Sequence, residues 1–170
     1  MRKFMKALLA SAAIGVASLS ASQPANAGAL TQWDRVGNWQ INYSAEANAC
    51  SMFQEYDRGT RLVVAFMPEV SSWVLMIGNR SWSDTIGKGT QHRIVMRLDG
   101  YDGWEGVLTG MFSSDDVPFM FTKVKPEFVL SVMRRYKVEI FDRDGRKLTG
   151  LPLVDSYAAM LSVIACQKAH

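Results

Sequence analysis

The sequence predicts an α+β domain: a mostly antiparallel, sandwich-like β-sheet with two helices packed on it. Three observations carry that reading. Apolar residues alternate by twos through most of the chain after Val36. Asp, Asn and Gly clusters punctuate those runs. Only two late segments switch to a helical period. An all-β sandwich is the alternative architecture.

Taken in order, Trp39, Ile41 and Tyr43 interleave with Asn38, Gln40 and Asn42, the pattern of a strand with one dry face. Ser44-Ala45-Glu46-Ala47-Asn48 is turn-like, and a second strand follows over 49–56. Asp57-Arg58-Gly59 suits a tight hairpin connection into a strand at 60–67. That strand and the next, at 73–77, carry apolar residues on both faces, which places them in the middle of the sheet. Ile94, Met96 and Leu98 face one way and Arg93 and Arg97 the other. Asp99-Gly100 and Asp102-Gly103 are turn chemistry. The strand pattern resumes over 104–111, and again over 117–124 with Phe119 and Phe121 in phase.

Pro126 suits a first helical position. Phe128, Val129, Val132, Met133 and Tyr136 then recur with helical spacing, predicting a helix over about 126–136 that ends near Arg134-Arg135. Short strands at 137–141 and 147–151 flank a turn at 142–145. A closing helix is expected over about 155–168, with Asp155 as N-cap and Tyr157, Met160, Leu161 and Ile164 as its apolar stripe.

The N-terminus has another character. Arg2, Lys3 and Lys6 precede a small and apolar run over 7–19, and Ala25-Asn26-Ala27 supplies an A-x-A site. This is the order of a cleavable secretory signal, and the run is shorter than the roughly 20 residues of a membrane span. Gly28, not Cys, follows the cut, which argues against a lipid anchor. Cleavage after Ala27 removes 27 of the 170 residues and leaves one domain of 143, residues 28–170. It also removes three of the 19 basic residues, so 16 cations face 16 acids in the mature chain. A near-neutral chain lacks the cation surplus that nucleic-acid binding requires. No later stretch is long and apolar enough to span a membrane.

The chain's two cysteines, Cys50 and Cys166, both lie in the mature part. An even count in an exported chain predicts one disulfide between an early strand and the C-terminal helix. Metal ligation by zinc is not supported, because His92 is the only internal histidine and no C-x-x-C occurs.

Sites of chemistry are sparse, and nothing calls for a cofactor. A nucleophilic triad needs an imidazole beside a hydroxyl or thiol. His92 lies in phase with Ile94 and Met96, as a hydrogen-bonded structural histidine would, and no G-x-S-x-G elbow exists. Asp115-Asp116 are adjacent carboxylates in a Ser-rich loop, preceded by Glu105; sequence neighbours seldom reach the separation a glycosidase pair needs across a cleft, so a solvated loop is the better reading. Asp142-Arg143-Asp144-Gly145 opens like a calcium loop but lacks the later ligands. The eight mature methionines fall about one per element, as core filling does. Trp82 is different. It sits in a polar stretch with Asn79, Arg80, Ser81, Ser83 and Asp84, where it could stack on a sugar or anchor a partner. Trp82, Asn79 and Arg80 are therefore the candidate binding residues.

Gly37-x-Trp39, the single Cys50, Asn79-x-x-Trp82 and a closing helix bearing Cys166 together resemble small exported domains of uncharacterised proteobacterial proteins. The resemblance spans most of the mature chain and implies a Gram-negative periplasmic location. It implies no active-site residue. Two functions are consistent with these observations. One is a non-catalytic periplasmic binding or envelope-accessory module whose partner is an envelope protein or a glycan. The alternative is a small periplasmic hydrolase, which would require a cleft holding His92 with a carboxylate and a hydroxyl.

Overall fold

A computed structural model describes residues 30–170. The signal segment and the cut after Ala27 lie outside the described residues. Ten strands join into one antiparallel sheet: β1 (Leu30–Val36), β2 (Trp39–Ser44), β3 (Ala49–Glu55), β4 (Thr60–Met67), β5 (Ser72–Asn79), β6 (Gln91–Leu98), β7 (Tyr101–Phe112), β8 (Pro118–Val124), β9 (Lys137–Asp142) and β10 (Lys147–Pro152). Helices α1 (Pro126–Met133) and α2 (Ser156–Ala169) complete the fold. The strand order is β1-β2-β3-β4-β5-β8-β7-β6-β9-β10. The α+β, mostly β class holds, with one sheet in place of two stacked ones.

Two meanders are sewn together at the centre by β5 and β8, where Trp73 pairs with Val124 and Gly78 with Phe119. As expected, β4 and β5 are interior strands. On β5 the face away from the main core is closed by Phe119, whose ring lies where a Cβ on Gly78 would be, at 2.6 Å. The other face belongs to one continuous core drawn from β2 through β10 and both helices, with Trp39, Met52, Ile77, Ile94, Met120, Ile140 and Met160 among its members. Strand twist lets so long a sheet curl around a single core. Trp39, next to one edge, donates Nε1–H to the carbonyl of Val154, just beyond the other edge, at 2.9 Å.

Helix α2 lies over β1, β2 and β3 and is tied there chemically. Cys50 and Cys166 form the expected disulfide, with Cα atoms 6.1 Å apart, inside the range the bond allows. Beside it, Gln167 clamps the start of β3: its Oε1 accepts from the Cys50 backbone N–H at 3.0 Å and its Nε2 donates to the Asn48 carbonyl at 3.1 Å. Ser162 donates to Asp34 of β1 at 2.7 Å, and His170 stacks on Tyr43 with centroids 3.7 Å apart.

Four details differ from the sequence expectations. Strand β1 was not anticipated, because its residues from Leu30 to Arg35 are all exposed and show no alternation of burial; an edge strand needs only ladder bonds on one side. Helix α1 ends at Met133, and Tyr136 leaves the apolar stripe to stand 84% exposed. The buried stripe of α2 is Ser156, Ala159, Met160, Val163 and Cys166, while Tyr157 and Leu161 face outward. Small residues win that face because the disulfide and the sheet draw the helix close. Finally, Asp155 does not cap α2. It is left-handed with φ 60 and makes no side-chain cap bond, and its carboxylate fills the space beside Gly37, where a Cβ would meet Oδ2 at 2.5 Å. Gly37 is itself left-handed, φ 56, so glycine is favoured there twice over.

Candidate functional site

The curl of the sheet leaves a groove between β10 and the ends of β2, β3 and β4. It encloses about 950 Å³ and is lined by Asn38, Gln54, Tyr56, Asn79, Trp82 and all of β10, among others. Trp39 and Gly37 close it at Val154 and Asp155; from Pro152 back to Lys147 it is open.

Alternation explains the polar wall. Cys50, Met52 and Gln54 share the inward face of β3, and Thr60 and Asn79 share the inward ends of β4 and β5. Polar residues therefore occupy inward positions where the core reaches the groove. Asn79 is satisfied internally: its Nδ2 donates to Thr60 Oγ1 at 2.8 Å and to the Arg58 carbonyl at 3.0 Å, and its Oδ1 accepts from the Ser81 N–H at 2.8 Å. It thereby shapes the 3-10 turn Arg80–Trp82. Gln54 and Tyr56 are not satisfied. Gln54 is 8% exposed, and neither its Oε1 nor the Tyr56 hydroxyl, both buried, has a hydrogen-bonding partner among the described residues. An orphaned buried polar atom costs about 1–3 kcal/mol, so such atoms are rare in a finished core. Burial also pushes the Tyr56 phenol well above its ordinary pKa; it remains a neutral donor and acceptor.

Trp82 is half-buried against the core and stands between this groove and a smaller one of about 440 Å³. Arg80 is on neither wall. It turns away to Asp115 in the β7–β8 hairpin, at 3.4 Å. Of the three residues expected to recognise a partner, Trp82 and Asn79 meet in one groove and Arg80 does not join them. Among the other tryptophans, Trp39 and Trp73 are buried and Trp104 is half-buried, its ring lying over Gly106 and against Phe128.

The smaller groove holds His92 together with Thr85, Asp142 and Asp144. Its hydrogen bonds are those of a scaffold. Thr90 Oγ1 lies 2.7 Å from His92 Nε2, but also 2.6 Å from the Gly87 carbonyl, and it accepts from the Gly87 N–H at 3.1 Å. Thr90 thus links the Gly87 backbone to the His92 ring and ties the imidazole into the turn before β6. Asp142 accepts from the backbone N–H groups of Asp144 and Arg146 and from Arg146 Nε. Those contacts hold its pKa below the ordinary carboxylate value. The residues 142–145 are thus a hairpin turn. Asp115, the remaining acidic candidate, accepts from Ser113 at 2.6 Å and Arg61 at 2.8 Å. Those contacts, Ser113 first, bring it down to about 2. Among the described residues no three His, Cys, Asp or Glu side chains are placed to share a metal ion, and no helix is long and apolar enough to cross a membrane.

The structure defines a single curled antiparallel sheet clasped by a disulfide-bound C-terminal helix. No family model matches this chain, and no curated protein matches it. Among solved structures, the crystal structure of invasion associated protein b from Bartonella henselae is similar in fold. It is 13% identical, with a TM-score of 0.58, over 79% of this chain and 97% of that one.

Proposed function

We propose that the protein is an exported, non-catalytic binding module of the bacterial envelope, and that the groove beside β10 is its recognition site. The single observation that carries this reading is the groove itself, about 950 Å³, lined by the whole of β10 and by the polar inward residues Gln54, Thr60 and Asn79. Trp82 at the groove's mouth adds an aromatic surface. The export expectation rests on the N-terminal segment, and a buried disulfide suits an oxidising compartment. The fold shared with an invasion associated protein is compatible with an envelope setting. The hydrolase alternative finds less support, because the His92 ring is bonded to Thr90 in a turn and no carboxylate among the described residues bonds it.

Site-specific photo-crosslinking tests this in the exported chain. A crosslinker replacing Thr149, inside the groove, should give a discrete adduct in intact cells, whereas one replacing the exposed Val107 on β7 should not. Equal labelling from both positions, or none from Thr149, would remove the groove as a binding site.

A further inference from the structure

Among the described residues, strand β10 ends the sheet, bonded to β9 on one side only. The direction of its free backbone groups follows from the register. Leu153 N–H donates to the Tyr136 carbonyl at 2.8 Å, and the ladder continues through Leu151 opposite Val138 and Thr149 opposite Ile140. In an antiparallel pair, hydrogen-bonded and non-hydrogen-bonded pairs alternate. Leu153, Leu151 and Thr149 therefore bond toward β9, while Gly150 and Pro152 turn their backbone polar groups the other way. Gly150 presents both N–H and C=O to the open side; Pro152 presents C=O alone. Side chains alternate between faces along a strand, yet all six residues of β10 line the groove. The groove consequently runs along the strand's free edge. Gln54 and Tyr56 line its wall as well, with their side-chain oxygens buried.

We propose that the ligand is an extended polypeptide segment of a partner protein, which adds to the free edge of β10 and fills the groove. The inference rests on the groove being the recognition site and adds the class of occupant. An extended chain supplies both a donor and an acceptor at each alternate residue. It can therefore pair with Gly150 and Pro152 on one side and set its side chains against Trp82 on the other. Trp82 and Leu148, partly buried at one end of the groove, offer an apolar seat for one inward side chain. The edge is also guarded against indiscriminate pairing. Pro152 lacks a donor, Lys147 sits at the strand's start, and the register shifts between Lys147 and Thr149. Only a segment that engages the opposite wall gains enough to dock. A glycan could stack on Trp82, but its hydroxyls do not repeat in the register of a strand's N–H and C=O groups.

The test uses the mature full chain, a phage-displayed library of extended peptides of about eight residues, and soluble N-acetylglucosamine oligosaccharides. Expected is enrichment of peptides that slow amide exchange at Gly150 on binding. Their affinity should fall about tenfold, the worth of one good hydrogen bond, in Gly150→Pro. The proline removes a donor not used by β9. Failure to enrich any peptide, or peptide binding that leaves Gly150 exchange unchanged, overturns the inference. Oligosaccharides that perturb Trp82 and Thr149 where peptides do not would retain the groove and reject the polypeptide. Perturbation of the groove by neither would reject both readings.

Discussion

The indole Nε1–H of Trp39 reaches the carbonyl of Val154 at 2.9 Å, joining β2 to the chain just past β10 across the mouth of the curled sheet. This bond and the contact of Asp155 with Gly37 set where the groove stops. Trp39→Phe keeps most of the fully buried ring and loses the bond. It is expected to lower unfolding free energy by about 1–3 kcal/mol in urea denaturation. A change indistinguishable from zero would mean that the closure is not held by this residue.

The disulfide joins residues 116 apart in sequence. In the chain-entropy model, loops of that length contribute on the order of 4–5 kcal/mol. The double replacement Cys50→Ala, Cys166→Ala should lower the denaturation midpoint accordingly and loosen α2 first, seen as faster amide exchange around Gln167. Two thiols titrating in the oxidised, unfolded protein would show that the bond does not form.

Asp115 and Glu139 give the expected acid response. Asp115 is held at about 2 by Ser113 and then Arg61; Glu139 is held at about 2 by Lys137 and then Lys147. Both folded pKa values lie below the ordinary carboxylate values. Their contribution is therefore complete above about pH 4–5 and is lost as pH falls through about 2. Asp115 is exposed and Glu139 partly buried, so the Asp115 effect is small and screened by salt. The difference in Tm between wild type and Asp115→Asn should be present near neutral pH and shrink across that acidic window. A difference that grows on acidification would contradict the assignment.

Trp82 is half-buried, packed on the core with one side open to the grooves. Trp82→Ala is expected to cost roughly 1–3 kcal/mol, below the ~3–5 kcal/mol of a fully buried aromatic. Thermal unfolding measures this without any ligand. No loss at all would make Trp82 a purely surface residue, and a full core-sized loss would make it a structural plug.

Alternation and turn chemistry made most of the strands and both helices legible, because each is a local consequence of side-chain period. The central placement of β4 and β5 was legible from their doubly apolar faces. Strand β1 was not, since an exposed edge strand carries no burial signal. The stripe of α2 was misread because large apolar residues suggested the buried face, whereas the disulfide and the close sheet select Ala159, Val163 and Cys166. In the candidate site, Trp82 stood out as an aromatic among polar residues. Gln54 carried a signal that alternation could have exposed: it is a polar residue in phase with Cys50 and Met52. The open edge of β10 had no signal in the sequence, because strand order across a curled sheet is set by contacts far apart in the chain.

Amide hydrogen exchange at Gly150 tests the central claim most directly, since an available β10 edge underlies both the groove and its proposed occupant. The account predicts that in the free protein the Gly150 N–H, turned away from β9, exchanges at least about tenfold faster than the Leu151 and Leu153 N–H groups that bond to it. Equal protection of all three would mean that the edge of β10 is already paired and the groove offers no strand to extend.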